Sequence, residues 1–344
     1  MEKTLTVIIP TYNMETYIER CLLSLLHPKH IDCVEILVVN DGSTDGSSAI
    51  AHRIARQYPH SIKVIDKPNG NYGSCINAAL PVATGKYVKI LDADDRFDTD
   101  NFGLMLEEMT QQDADLVVTH FATVDAEGQI GRTRHIHLPA GRTVSLARYA
   151  GRRSVQGLWM HEIAYRRANL LRMGYRQREG ISYTDVQWGF SPMATVQTVH
   201  YIDKLVYIYN VGREGQSMSA ETYRKRFAQE FCCTEAMLDD YVRLHCPDRH
   251  IGAMMTAKIE GRIAALYKRA LVELCDLHNQ AMQQFDETLR QKAPHIYQRL
   301  DRSCLSLPLF PIRYIHLWRK DKQGWLLGHT LALYRKYKGI DTSL

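Results

Sequence analysis

The chain has 344 residues, 45% hydrophobic and 24% charged, which is enough apolar material for a large packed core and excludes a disordered chain. A formal net charge of +5 is mild at this length and gives no sign of a nucleic-acid partner. No apolar run approaches the roughly 20 residues that span a bilayer, and Met1-Glu2-Lys3-Thr4 runs into the first apolar stretch without a signal-peptide pattern, so a cytoplasmic protein is expected.

The first ~120 residues alternate strand and helix signals. Residues 5–9 form a β-branched run ended by Pro10, and 17–26 carry Ile18, Cys21, Leu22 and Leu25 at helical spacing. A buried strand is predicted at 35–40, a helix at 45–58, a strand at 62–66, a helix at 72–83 and a strand at 87–91. A helix at 101–109 and a strand at 115–119 follow. This order predicts right-handed βαβ units and an α/β fold with a mostly parallel central sheet. Turn residues Gly128, Gly131, Pro139 and Gly141 loosen 123–151; 159–173 returns to helical spacing, 185–196 reads as a short helix despite Pro192, and 199–209 as one long strand or a strand pair. From 221 to about 300 the chain reads as mainly helical.

In such sheets ligands sit beyond the carboxyl ends of the strands. Those positions hold Thr11-Tyr12-Asn13, Asp41-Gly42-Ser43, Lys67-Pro68-Asn69 and Asp92-Ala93-Asp94-Asp95. Three clustered carboxylates repel one another, and a hard divalent cation, Mg²⁺ or Mn²⁺, relieves that repulsion while bridging to a diphosphate. The other reading is an acidic loop that caps the next helix through Asp98 or Asp100. Asn40 to Ser47 (NDGSTDGS) offers backbone amides to a ligand, with Asp45 as a helix cap and Asp41 as an acceptor for a base N–H; a tight βα turn explains the same residues. The dinucleotide and P-loop glycine signatures are absent, and the eight cysteines show no zinc spacing.

VIIPTYN, VVNDGSTDGS, an Asn69-Gly70 pair before a helix bearing Asn77, and GKYVKILDADD together resemble family 2 glycosyltransferases of the GT-A fold, over about residues 3–215. The resemblance implies a nucleotide-sugar donor, most often a UDP-sugar. Pro10, Thr11 and Tyr12 would border the nucleotide, Asp41 would meet the uracil, and Lys67 and Asn69 the base or ribose. Asp92, Ala93 and Asp94 match the DxD motif: Asp92 and Asp94 would hold the metal, and Asp95 would orient the donor sugar. Asn77 is kept from the commoner Gly-Gly-x-x-x-Ala-Arg-Asn version, while Ile76 stands where arginine is usual. Asp185 matches the acceptor-site base, with Glu179 as the substitute and a plain helix cap as the other explanation. Trp159 and Trp188 would contact the acceptor, though a core role suits Trp159 equally. Arg213, Gln216 and Ser217 would close over the diphosphate. Inversion at the anomeric carbon is implied by the family.

The expected organisation is a GT-A catalytic domain at 1–218 and a helical C-terminal region at 219–344. The tail interleaves Arg313, Arg319, Lys320, Lys322, Arg335, Lys336 and Lys338 with Tyr314, Trp318, Trp325, Tyr334 and Tyr337. Such a face suits peripheral contact with the inner face of a cell membrane, where a polyprenyl-diphosphate-linked or glycan acceptor would wait. It suits equally a helix packed back on its own domain. The reading is an inverting transferase of exopolysaccharide, capsule or cell-wall synthesis. A sugar nucleotidyltransferase and a nucleotide-sugar-binding protein without transfer activity stand as alternatives.

Overall fold

The computed structural model describes residues 3–125, 127–211, 220–244, 246, 248–306, 311–321 and 324–340. The chain divides into two compact units, Met1–Gln216 with Cys246–Gly252, and Ser217–His245 with Ala253–Leu344.

The first unit begins with β1 (Leu5–Thr11), α1 (Ile18–Leu23), β2 (Val34–Asn40), α2 (Ser47–Gln57), β3 (Ile62–Asp66), α3 (Asn71–Ala79) and β4 (Tyr87–Ile90). It continues with β5 (Arg96–Phe97), α4 (Thr99–Thr110), β6 (Leu116–Val124), β7 (Thr143–Ser145), α5 (Arg153–Gln156), β8 (Ile163–Arg166), α6 (Arg167–Arg172), α7 (Asp185–Trp188) and β9 (Thr198–Asn210). One sheet runs β3-β2-β1-β4-β8-β6-β9-β5, with β7 on β9. The β3-β2-β1-β4 half is parallel, as is β6 with β9. β8 is antiparallel to both β4 and β6. β1 and β2 are apolar on both faces because helices cover each side, so every residue of β2 is buried. The main core joins Val7, Ile9, Ile36 and Val38 to Phe97, Phe102, Met105 and Tyr207.

Two helix expectations are corrected. Residues 159–173 are a 3-10 turn (Met160–Glu162), then β8, then α6. Ile163, Ala164 and Tyr165 are all buried and fill the gap between β4 and β6, so ladder hydrogen bonds win over helical spacing. The 185–196 helix stops at Trp188, and Ser191–Thr195 forms a separate 3-10 turn with Pro192 at its start. Residues 199–209 fall in the single strand β9, not a hairpin.

The second unit holds α8 (Ala220–Arg243), most of α9 (Arg249–Lys268), α10 (Gln280–Lys292), α11 (Pro294–Leu300), the hairpin strands β10 (Leu305–Ser306) and β11 (Pro311–Ile312), α12 (Tyr314–Lys320) and α13 (Trp325–Lys338). Part of the basic-aromatic tail is internal. Tyr314 and Tyr334 are buried. Arg319 binds Asp286 and Asp301 and lies 3.5 Å over the Tyr297 ring. On α13 Trp325, Leu326, Leu333 and Tyr337 are exposed, as are Lys336 and Lys338, and Arg313 and Lys320 are exposed at the two ends of α12. Among the described residues no helix is long and apolar enough to cross a membrane.

Candidate active site

The carboxyl ends of β1, β2 and β4 lie side by side, and the turns after them build the site. Asp41 N donates to Thr11 O at 2.8 Å, fastening the first two turns together. Asp41, 2% exposed, gathers the next two: its Oδ1 accepts from Lys67 Nζ at 2.6 Å and from Gly70 N at 2.9 Å, and Asn69 Nδ2 donates to its carbonyl at 2.9 Å. Gly42 takes φ +74°, and a Cβ there would stand 3.1 Å from Asn69 N, so glycine lets the two loops meet. Lys67 also donates to Pro68 O at 2.6 Å and Ser74 Oγ at 2.8 Å. All three of its protons are used, so Lys67 sets the Asp41 carboxylate and offers no spare donor to a base or ribose. Thr11 is buried and turns its hydroxyl to Ile9 O, while Tyr12 is 47% exposed beside it. Asp45 Oδ1 accepts from Ser47 N at 3.0 Å at the start of α2, and Asp98 accepts from Asn101 N at the start of α4.

The acidic run after β4 folds as a tight turn, Asp95 N to Asp92 O at 3.0 Å. This reversal carries Asp95 back beside Asp92. Asp95 is fully buried, with its oxygens taken by Tyr207 Oη at 2.6 Å and Asn210 N at 2.7 Å. Burial first, then the charges of Asp92 and Asp94, push its carboxyl well above the usual range. Tyr72 Oη donates to Asp92 Oδ1 at 2.7 Å. Asp94 is 8% exposed, and its carbonyl accepts from Arg20 Nη2 at 3.1 Å and from Asn210 Nδ2.

Ligand atoms of Asp92, Asp95 and His161 lie within 4.8 Å of one another. The expected metal pair was Asp92 and Asp94; the turn makes Asp95 the nearer partner and leaves Asp94 outside this set. Two carboxylates and an imidazole with an unpartnered buried nitrogen fit a divalent cation. His161 had no signal in the sequence beyond its place two residues after Trp159. The same holds for Lys89, fully buried on β4, whose Nζ donates to His161 O at 2.7 Å and Ile163 O at 3.3 Å. Burial pulls Lys89 down to about 7, against the opposing charge of Glu162.

Asp185 is the first residue of α7, directly after the N-cap residue Thr184. Its segment is woven to α3. Asn77 Nδ2 donates to Gln177 O at 2.9 Å and Glu179 Oε1 at 2.7 Å, and Asn77 Oδ1 accepts from Gln177 N at 2.9 Å. Asn77 is thereby committed to this loop. Gln187 answers from α7, through Arg178 N at 3.0 Å and Arg176 O at 3.0 Å. Gly73 permits the contact: a Cβ there would lie 2.1 Å from Arg178 O. Tyr183, two residues before Asp185, takes φ +65°, a strained conformation for a bulky side chain. Asp92 and Asp185 both act on Tyr72, whose hydroxyl is pushed well above its usual value by burial first and then by Asp92. Tyr209 is raised to about 12 by burial, then by Asp95, Asp92, Asp94 and Asp185. Charge from the acidic turn and charge from Asp185 therefore both reach Tyr72 and Tyr209.

Trp159, 58% exposed, stacks on Phe121 at 6.1 Å and shows its other side to solvent. Trp188 is corrected. It is fully buried, edge-on to Tyr165 at 5.2 Å and Tyr175 at 5.5 Å, and belongs to the core because α7 turns it away from solvent. Arg213, Gln216 and Ser217 lie outside the described residues.

A sheet that presents loops and an acidic turn at its carboxyl edge is the GT-A arrangement. The family model described as "Glycosyl transferase family 2" matches residues 6–173. The uncharacterized glycosyltransferase EpsJ of Bacillus subtilis (strain 168) is 30% identical over 211 residues, 59% of this chain and 60% of EpsJ. Chondroitin synthase of Pasteurella multocida (strain Pm70) is 37% identical over 103 residues, 30% of this chain and 10% of that enzyme. The chain thus spans 60% or less of these two relatives. The crystal structure of S. aureus TarS 1–349 in complex with UDP-GlcNAc superposes with a TM-score of 0.71 at 20% identity, covering 97% of this chain and 92% of that one. Residues 6–173 of this chain thus match glycosyl transferase family 2, and the chain has a GT-A-like fold with a helical C-terminal region.

Proposed function

We propose that this glycosyltransferase moves a sugar from a UDP-sugar to a hydroxyl of a glycan or polyprenyl-diphosphate-linked acceptor, with inversion, in the synthesis of a surface polysaccharide. The observation that carries this reading is that Asp92, hydrogen-bonded by Tyr72, and Asp185 both act on the Tyr72 hydroxyl, while Asp92, Asp94, Asp95 and Asp185 all act on Tyr209. One carboxylate set serves the donor and a separate carboxylate serves the acceptor, as direct displacement requires. The crystallised S. aureus TarS complex with UDP-GlcNAc supports the donor class, and the partial likeness to chondroitin synthase supports a polysaccharide product.

In this reading Asp41, fixed by Lys67 and Gly70, accepts the ring N–H of uracil, with Tyr12 along the nucleotide. Asp92, with Asp94 and Asp95 beside it, would hold Mg²⁺ or Mn²⁺. Such an ion, when bound, supplies charge stabilisation to the departing diphosphate. Tyr72 orients Asp92, and Asp185 takes the acceptor proton as the new bond forms. The exposed face of Trp159 stacks on an acceptor sugar. Residues 1–218 form the catalytic domain. The exposed Trp325, Leu326, Leu333 and Tyr337 of α13, with Lys336 and Lys338, support peripheral contact with an anionic inner membrane face.

The test incubates purified protein with UDP-, GDP- and dTDP-sugars, with Mn²⁺, Mg²⁺ or chelator, and follows nucleoside diphosphate release. Metal-dependent UDP release from one sugar, lost in Asp92→Ala and Asp94→Ala, is expected. Transfer to an acceptor should fail in Asp185→Asn while UDP binding persists. Absence of binding and turnover with every donor would overturn the reading.

A further inference from the structure

The second unit holds a cavity of about 390 Å³, and none of the residues assigned to sugar transfer lines it. Its wall comes from α10, α11, α12 and the turns before α10 and α13. Trp318 and Tyr297 supply aromatic rings, Arg319 and Asp286 supply an ion pair, and His278 and Gln283 are its exposed polar members. The volume falls within the roughly 300–1,000 Å³ of small-molecule sites.

The wall is held in place and still has hydrogen-bonding capacity to spare. Trp318 Nε1 donates to Leu277 O at 3.1 Å, and the indole stands edge-on to Tyr267 at 5.6 Å. The Arg319 side chain is 8% exposed. Its Nη2 donates to Asp286 Oδ1 at 2.6 Å, its Nε to the same oxygen at 3.1 Å, and its Nη1 to Asp301 Oδ1 at 2.7 Å and Tyr297 O at 2.8 Å. A guanidinium carries two N–H groups on each terminal nitrogen, so one on Nη2 has no partner among the described residues. The His278 ring and the Gln283 amide also have no hydrogen-bond partner among the described residues.

We propose that this cavity binds a neutral saccharide, with a pyranose ring packed against Trp318 and its hydroxyls bonded by Arg319, Gln283 and His278. The charge balance selects against an anion: Asp286 and Asp321 both line the cavity against the single guanidinium of Arg319. Their oxygens are already engaged. Asp286 Oδ1 also accepts from Tyr267 Oη at 2.7 Å, and Asp321 accepts from Gly324 N at 3.1 Å and Leu327 N at 2.7 Å. A purely apolar guest would cover the spare N–H, the imidazole and the amide without pairing them. A sugar meets both demands, because its hydroxyls donate and accept while its C–H faces lie on aromatic rings. The inference goes beyond the transfer reading and does not depend on it.

The experiment reads binding to the full chain with no donor present, by saturation-transfer NMR and calorimetry. Cellotetraose and chitotetraose are titrated beside glucose and N-acetylglucosamine, which separates a glycan chain from a free sugar, and inorganic phosphate is the anionic competitor. At least one of these sugars should bind, and neither phosphate nor excess UDP should displace it. Gln283→Ala and His278→Ala change exposed side chains, so both variants should melt within a few degrees of wild type while together weakening the sugar about tenfold. Gln283→Trp, which puts an indole at the cavity wall, should abolish binding. No binding by any of the sugars, binding that these variants leave unchanged, or displacement by phosphate or UDP overturns the inference. Sugar binding that meets these criteria in a protein that turns over no nucleotide-sugar supports the cavity site and overturns the transfer reading alone.

Discussion

The Tyr72 hydroxyl donates to Asp92 Oδ1 at 2.7 Å, so one hydrogen bond joins helix α3 to the acidic turn after β4. Tyr72→Phe removes that bond and the weaker contact to Met160 Sδ at 3.5 Å. A hydrogen bond to a charged group contributes about 1.5–3 kcal/mol, so sugar transfer should fall about tenfold or more. The melting temperature should stay within a few degrees. Steady-state rates beside a thermal melt check this, and an unchanged rate would mean that Asp92 needs no orientation from α3.

Asp41 and Lys67 form the second pairing to test. Asp41→Ala leaves a largely buried ammonium and the Gly70 N–H without their acceptor. Breaking one side of a buried ion pair costs about 3–5 kcal/mol, and the residual exposure of Lys67 sets the lower end. Urea denaturation should report a loss of about 3 kcal/mol. Asp41→Asn, which keeps shape and one acceptor oxygen, should lose less stability, yet UDP titration should still show weakened binding.

Gly73 is a packing requirement between α3 and the loop that carries Asp185. Its added Cβ would meet a backbone carbonyl at 2.1 Å, an atom that cannot swing aside. Gly73→Ala should destabilise by about 1–3 kcal/mol, as overpacking does. Transfer should fall further than UDP binding, because the displaced segment leads to Asp185. Gly261→Ala in α9 has nothing within 4 Å and should instead stabilise by about 0.5–1 kcal/mol.

Lys89 predicts a pH signature. Burial lowers it from 10.5 to about 7 in the folded chain, with the Glu162 charge opposing. Between about pH 7 and 10.5 the unfolded chain holds a proton that the folded one has released. Its contribution to stability therefore rises with pH through that window, and the penalty of the buried charge is greatest below pH 7. Wild-type unfolding free energy minus that of Lys89→Met should climb from pH 6.5 to 9. A flat difference would show that Lys89 keeps its proton throughout.

Much of the parallel half of the sheet was legible in order, because a strand covered on both faces reads as a continuous apolar run. β1, β2, β3 and β4 fall where the β-branched runs do, and the loops at their ends hold the chemistry-bearing residues that their motifs announce. β8 was hidden. Its four residues lie inside the helical-looking stretch 159–173, and only the gap between β4 and β6 makes them extended.

By itself the sequence determined the strand-and-turn order of the N-terminal unit and the acidic turn at the end of β4, since local period and turn chemistry carry that information. Only the tertiary structure decided which groups meet. It brought Asp95 back beside Asp92, buried Trp188, used up the donors of Lys67, bound Asn77 to residues 177–179 and set His161 between Phe121 and Tyr209. Such meetings join residues up to about a hundred positions apart, and their geometry follows from sheet order and packing, which no local pattern records.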